Sequence, residues 1–255
     1  MSSVSRSINT ALLSPILRKV LHVVFSLMLL IPFAQAYRDL AASLWLGGLD
    51  PTLATLALLL FGAAFVNSLQ VRLPDVRNRF LKTSADIRKR ILETLESTAR
   101  DAPYAVLVEN IIKSIARYEE RFLEFISMVE RDYELRYGYI CITFGLLSVT
   151  MSYVLFGPWA VYGILALAVV DSVSSIATLY TQNRRKLLKH SDISIAITFA
   201  VFTLMLVPVA ADPWKAIAIA SAAVVTELAS PEDNLTLPII TTAASYLLQA
   251  PPIQF

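Results

Sequence analysis

Hydrophobic and polar positions divide this chain into long apolar runs, short polar connections and one longer charged interruption. Several runs approach the roughly 20 residues that a helix needs to cross a bilayer. The pattern therefore predicts an all-α, polytopic membrane protein with about seven transmembrane helices. The last three runs are short and are separated by Pro-bearing turns at Asp212-Pro213 and Ser230-Pro231, so two of them could be re-entrant instead of fully spanning. The runs lie at 20–37, 51–71, 138–157, 158–180, 193–211, 213–230 and 235–250.

The charged interruption, residues 72–137, holds thirteen basic and twelve acidic side chains and therefore does not lie in lipid. Asp101 followed by Pro103 is typical of a helix start, and apolar residues recur at helical spacing from Val106 to Val129. We expect a cytoplasmic helical hairpin, which either closes over the membrane domain or engages anionic lipid heads or a partner. The predicted organisation is N-terminal membrane helices at 1–71, the hairpin at 72–137 and C-terminal membrane helices at 138–255.

Composition and charge place the chain in a membrane and give it an orientation. It is 56% hydrophobic and 16% charged, whereas soluble domains carry about 25% charged residues, which excludes an ordinary soluble enzyme. If all seven runs span, twenty of the 22 Lys and Arg residues lie on one side, opposite Arg38 and Lys215. The positive-inside rule then predicts a cytoplasmic N-terminus and an outside C-terminus. Membrane lipids are the expected surroundings, and no nucleic acid is expected as a partner.

The first apolar run also imitates a secretory signal, because Arg18-Lys19 precedes it and Ala34-Gln35-Ala36 resembles a cleavage site. The charge asymmetry works best with the segment retained, and we expect it to be retained. Cys141 is the only cysteine, so no intramolecular disulfide can form.

Two carboxylates, Asp171 and Glu227, lie inside predicted spans. A charged residue there costs about 2.5–3.5 kcal/mol on insertion scales, so we expect both to be functional. Ser174, Ser175 and Thr178 extend one polar helix face from Asp171. Interhelical hydrogen bonding is the alternative explanation of that face, and it accounts for the hydroxyls better than for the aspartate.

Basic side chains collect at the predicted cytoplasmic ends of the spans. Arg18 and His22 share a helix face with Lys19 beside them, which suits phosphate and proton chemistry. Lys186 and Lys189 lie in a basic loop after the fourth run, where they could clamp phosphates of a nucleotide or lipid. The alternative for both groups is that they only fix orientation in the membrane.

Acidic and amide side chains follow at a turn near the C-terminus, where Glu227 is succeeded by Asp233 and Asn234. Carboxylate oxygens are ligands that Mg²⁺ prefers, so the cluster predicts a magnesium and phosphate arrangement beside the basic loop. A capped turn between two helices is the alternative.

These elements together resemble the membrane-embedded polyprenol kinases, which include the dolichol and phytol kinases. Arg18-Lys19-x-x-His22 is similar to the family's N-terminal element, and Glu134 to Gly138 resembles its lead-in to the third span. Asp171 resembles the aspartate that opens its nucleotide-associated motif. Glu227 followed by Asp233-Asn234-Leu235-Thr236-Leu237-Pro238 is the most specific match.

The resemblance implies a lipid kinase that transfers the γ-phosphoryl group of a nucleoside triphosphate, typically CTP, to the hydroxyl of an isoprenoid lipid alcohol, with Mg²⁺ as cofactor. The implied catalytic residues are Asp171, Glu227 and His22. The implied nucleotide-binding residues are Arg18, Lys19, Lys186, Lys189 and Asn234, and the implied metal ligands are Asp171, Glu227 and Asp233.

The chain differs from the family after Asp171, where Ser174, Ser175 and Thr178 replace alanines and a glycine, and it has no glycine after Gly163. Three alternatives therefore stay open. One is a catalytically inactive relative that binds lipid or acts as a scaffold, and another is a cytidylyltransferase that forms a CDP-lipid. The third is a transporter that uses Asp171 and Glu227 as ion sites.

Overall fold

Nine stretches of the chain are described by the computed structural model, with side chains from Ser14 onward: residues 2–44, 48–72, 82–84, 86–91, 93–94, 110–111, 113–121, 140–181 and 189–254. The regular secondary structure in these stretches is helical, which confirms the all-α prediction. The chain divides into two compact units, residues 1–64 with 139–255, and residues 65–138.

Eight α-helices are described outside the charged segment, together with two short 3₁₀ turns at Ile31–Phe33 and Gly157–Trp159. The helices are α1 (Ser2–Met28), α2 (Gln35–Leu44), α3 (Pro51–Arg72), α4 (Ile140–Phe156), α5 (Ala160–Tyr180), α6 (Asp192–Leu206), α7 (Pro213–Ala229) and α8 (Asp233–Leu247). Aspartates cap two of them: Asp50 accepts from the backbone N–H of Thr52 at 2.8 Å and Asp212 from that of Trp214 at 2.8 Å.

Helix α5 is the centre of the first unit and contacts α1, α4, α6, α7 and α8. Its buried residues include many small side chains, which allow neighbouring helices to approach closely. Tyr162 on this helix is fully buried with Phe202, Leu206, Ile219 and Leu237 from the helices around it. A polar group carried by α5 is therefore surrounded by protein on several sides.

Helices α4 and α5 form an antiparallel pair. The chain reverses at Gly157, whose φ of 60° lies in the left-handed region that favours glycine. Helix α4 runs parallel to α8, because Ser148 donates to the carbonyl of Leu235 at 2.6 Å and the rings of Phe156 and Tyr246 lie 5.4 Å apart. Helix α5 consequently runs antiparallel to α8.

Three segments of the described chain are long and apolar enough to cross a membrane: Ser14–Phe33, Pro51–Arg72 and Ile140–Tyr180. This supports a membrane protein, with fewer candidate spans than the seven predicted. Two predicted runs lie within Ile140–Tyr180, as helices α4 and α5, and the last three runs form shorter helices of 15, 17 and 15 residues. Helix α6 has 15 residues, a length of about 23 Å at 1.5 Å per residue, against a bilayer core of about 30 Å.

The charged segment is helical wherever it is described, at 82–84, 86–91, 93–94, 110–111 and 113–121. Glu119 accepts hydrogen bonds from Ser84 and from Arg88, so the earlier and later helical stretches contact one another. These two donors hold the pKa of Glu119 below its usual range. The predicted helix start at Asp101 and Pro103 lies outside the described residues.

Gly163 lies at a close contact between α5 and α8, and Gly163→Ala tests it. An added Cβ would lie 2.5 Å from Thr242 Oγ1 and also against the carbonyl oxygen of Pro238. Because overpacking a core costs about 1–3 kcal/mol, we expect a lower thermal midpoint for the purified protein. Gly145→Ala is the control, since its Cβ would meet only Leu167 Cδ2 at 3.8 Å. Equal midpoints for the two variants would contradict the close packing at Gly163.

Candidate functional site

The candidate site lies where the ends of several helices meet. The C-terminal half of α5, the start of α6, the end of α7 and the start of α8 come together there with the middle of α1. The antiparallel connections place residues that are far apart in sequence, such as Asp171, Glu227 and Asp233, at the same end of the unit. The three acids predicted to carry function therefore have a common location.

Asp171 is buried on α5 and pairs with two groups of α1. Lys19 Nζ donates to its Oδ1 at 2.7 Å, and His22 Nε2 lies 3.1 Å from its Oδ2. The same Nε2 lies 3.1 Å from the carbonyl oxygen of Leu167, one turn earlier on α5. The predicted catalytic pair Asp171 and His22 is thus in direct contact, with Lys19 supplying a positive charge.

Glu227 and Asp233 share a second lysine. Lys189 Nζ forms an ion pair with Asp233 Oδ2 and lies 3.7 Å from Glu227 Oε1. Glu227 is 1% exposed, although it lies in the last turn of α7. Lys189 therefore joins the two acids that the sequence placed on either side of a turn.

Burial and neighbouring charges shift the pKa values at this edge of the site. Burial and the charge of Glu227 raise the pKa of Asp233 to about 6, against the opposing effect of Lys189. Burial acts to lower the pKa of Lys189, but its hydrogen bond to Asp233 and the charge of Glu227 raise it overall. Lys189 is accordingly a fixed positive charge beside the acids.

The three acids could hold a divalent cation. Asp171, Glu227 and Asp233 each offer an oxygen, and these oxygens all lie within 4.8 Å of one another. Glu227 Oε2 and Asp233 Oδ1 are buried and have no hydrogen-bond partner among the described residues. Buried acceptors of this kind are costly unless a ligand satisfies them. An all-oxygen donor set with two open acceptors fits a hard cation such as Mg²⁺.

His190 is a site residue that the sequence analysis did not select. It is buried, its Nε2 lies 3.0 Å from Glu227 Oε1, and its Nδ1 lies 2.9 Å from Thr178 Oγ1. The signal that could have found it is its rarity, since the chain has two histidines, and its place directly after Lys189.

Two of the predicted nucleotide-binding residues, Arg18 and Asn234, bond to groups other than the three acids in the described part of the chain. Arg18 Nε donates to the carbonyl of Ser14, one turn earlier in its own helix, at 3.4 Å. Asn234 Nδ2 donates to Glu232 Oε1 at 3.3 Å, which belongs to the turn before α8. Lys186 lies outside the described residues. Their roles stay predictions.

Comparison with other proteins adds no family to this description. No protein-family model matches the chain, and neither the curated proteins nor the solved structures give a match.

Lys189→Met tests the charge balance at Asp233. With a pKa of about 6, Asp233 is protonated below that pH and ionised above it. Lys189 favours the ionised form, so its neutralisation should raise the pKa of Asp233 further. Infrared titration of the protonated carboxyl C=O band measures this, with Asp233→Asn to identify the band. An unchanged midpoint in Lys189→Met would contradict the pairing of Lys189 with Asp233.

Proposed function

We propose that this protein is a lipid kinase that transfers the γ-phosphoryl group of a nucleoside triphosphate, with CTP as the expected donor, to the hydroxyl of a polyprenol such as dolichol at the cytoplasmic membrane face. The observation that carries the proposal is the shared position of three acids and two lysines. Asp171, Glu227 and Asp233 lie within 4.8 Å of one another, and Lys19 and Lys189 pair with them. Phosphoryl transfer chiefly needs positioning and charge neutralisation, which such a cluster provides.

Asp171, Glu227 and Asp233 are the residues that would hold Mg²⁺. When bound, the ion neutralises part of the phosphate charge. The two buried carboxylate oxygens without a partner among the described residues, Glu227 Oε2 and Asp233 Oδ1, support this assignment.

The remaining groups act on the nucleotide and the lipid. Lys19 and Lys189 neutralise phosphate oxygens, and His22 lies beside Asp171 where the lipid hydroxyl is expected to stop. The hydroxyl oxygen attacks the γ-phosphorus, the bond from that phosphorus to the bridging oxygen breaks, and CDP leaves. The hydroxyl proton passes to a carboxylate of the cluster.

The membrane arrangement that goes with this function has seven spans, a cytoplasmic N-terminus and an outside C-terminus. The site then lies near the cytoplasmic ends of the helices, and the isoprenoid tail extends between them into the bilayer. In the first unit, large apolar side chains that are more than 70% exposed support lipid contact over much of the helix surface: Leu44, Phe61, Leu204, Trp214 and Leu247.

A second candidate function is a catalytically inactive, lipid-binding relative. It is favoured by the internal pairing of the site, because Lys19 already neutralises Asp171 and Lys189 already neutralises Asp233. Calorimetry with CTP at saturating Mg²⁺ separates the candidates, since the kinase binds the nucleotide and the inactive relative does not.

Activity of the full chain in detergent tests the kinase directly. We expect label to move from the γ-phosphate of CTP to a polyprenol, and Asp171→Asn to lower the rate by about 100-fold or more because a positioned acid–base group is lost. Asp50→Asn is the matched control. Asp50 caps α3 and accepts a hydrogen bond from Tyr153 in the last turn of α4, and asparagine is also a good cap.

Product analysis decides between the outcomes of this assay. Release of CDP with a labelled lipid phosphate supports the kinase, whereas release of pyrophosphate would show a cytidylyltransferase. Equal activity of Asp171→Asn and wild type, or no transfer from CTP or ATP to any lipid alcohol, would contradict the proposal.

A further inference from the structure

We propose that His190 is a positioning residue that holds Glu227 by its Oε1 oxygen and so leaves its Oε2 oxygen directed to a divalent cation. The inference rests on the proposed function, because it assigns a role within the same cation site. It adds to that site a residue that lies just before the start of α6.

Glu227 stands at a position that disfavours a carboxylate. It lies two residues before the end of α7, where the helix dipole presents partial negative charge, and its side chain is almost completely buried. Each effect raises the free energy of the ionised side chain. Its neighbours must therefore compensate, and three of them approach one oxygen: His190 Nε2 at 3.0 Å, Ser174 Oγ at 3.3 Å and Lys189 Nζ at 3.7 Å from Oε1.

The three neighbours contact only one of the two carboxylate oxygens of Glu227. Oε1 receives all three contacts, whereas Oε2 is buried without a hydrogen-bond partner among the described residues. A carboxylate fixed by one oxygen has little freedom to turn the other away. This arrangement suits a metal ligand, because metal-binding side chains are commonly oriented by hydrogen bonds to the atoms that do not bind the metal.

His190 is itself held in place by buried hydroxyl groups. Its Nδ1 lies 2.9 Å from Thr178 Oγ1, and Thr178 also lies 3.0 Å from Ser194 Oγ. Both hydroxyls reach the carbonyl oxygen of Ser174 at 2.6 Å. This network ties the start of α6 to α5, so the ring cannot rotate without breaking several buried hydrogen bonds.

The hydrogen bonds also fix which ring nitrogen faces Glu227 with a proton. An ionised carboxylate only accepts, so Nε2 must donate to Oε1. Nδ1 faces the Thr178 hydroxyl. While that hydroxyl donates to the Ser174 carbonyl, its oxygen can accept from an Nδ1–H, and if it turns to the ring it can donate to an unprotonated Nδ1, so either ring state leaves Nε2 as the donor to Glu227. His190 thus acts as a directed N–H donor between a hydroxyl network and a cation ligand.

Binding of Mn²⁺ alone to the purified full chain in detergent tests this role, with unbound Mn²⁺ measured by electron paramagnetic resonance. Loss of an orienting partner typically costs 10–100-fold in metal affinity, so we expect His190→Ala to weaken Mn²⁺ binding by about 10-fold or more. His190→Gln keeps an N–H donor near the position of Nε2 and should recover most of the affinity. Thr226→Ala is the control, because Thr226 precedes Glu227 but donates to Ala222 in its own helix.

A second variant and a stability measurement separate positioning from folding. Thr178→Val removes the hydroxyl behind the ring with little change in volume, and we expect a several-fold loss of Mn²⁺ affinity. Thermal midpoints are recorded for every variant. A purely structural role would lower the midpoint of His190→Ala and leave the Mn²⁺ affinity of the folded protein at the wild-type value.

Glu227→Gln distinguishes failure of this inference from failure of the proposed function. If Glu227→Gln loses Mn²⁺ binding while His190→Ala and Thr178→Val keep it, His190 is not a positioning residue and the cation site stands. If Glu227→Gln binds Mn²⁺ as wild type does, the cation site is wrong and the role of His190 falls with it.

Discussion

A carboxylate buried among apolar helices needs a positive partner, and Lys19 meets this requirement for Asp171. The two residues lie 152 positions apart, and their 2.7 Å contact joins α1 to α5, the helix that most others contact. Removing one partner of a buried ion pair typically costs about 3–5 kcal/mol, because the other charge is left without compensation. The face of α1 that carries Lys19 and His22 is thus the one that contacts Asp171.

Glu227 and Asp233 are two further carboxylates of the site that lie beside a positive charge. Glu227 lies in the last turn of α7, where the helix dipole disfavours its negative charge. His190, Lys189 and Ser174 contact its carboxylate there. Conflicts between local preference and final position concentrate at functional sites, because selection for folding alone would remove them. Asp233 differs, since it lies in the first turn of α8 where the helix dipole favours an acid. Glu227 thus lies where its helix end disfavours a negative charge, whereas Asp233 lies where its helix start favours one. Both acids lie close to Lys189.

The sequence was sufficient for the helical class and for the residues of the cluster, because apolar runs predict helices and a charge inside such a run is conspicuous. It also placed Arg18 and His22 on one helix face, but only the structure shows that Lys19 and His22 face Asp171 while Arg18 bonds within its own helix. Helical spacing shows which residues share a helix face but not which other helix that face contacts. His190 escaped for a related reason, since a histidine in a basic loop gives no sign that hydroxyls of α5 and Glu227 of α7 enclose it. Hydropathy marked the last three runs as short but left open whether they cross the membrane.

A double-mutant cycle on Lys19 and Asp171 tests the central claim that one ion pair organises the site. The measurement is the free energy of unfolding of wild type, Lys19→Met, Asp171→Asn and the double variant in mixed micelles. The account predicts that each single change destabilises the protein and that the double variant is less destabilised than the sum of the two, because the second change removes a buried charge left without its partner. Additive effects would show that the two residues do not interact, and the shared pocket would be contradicted.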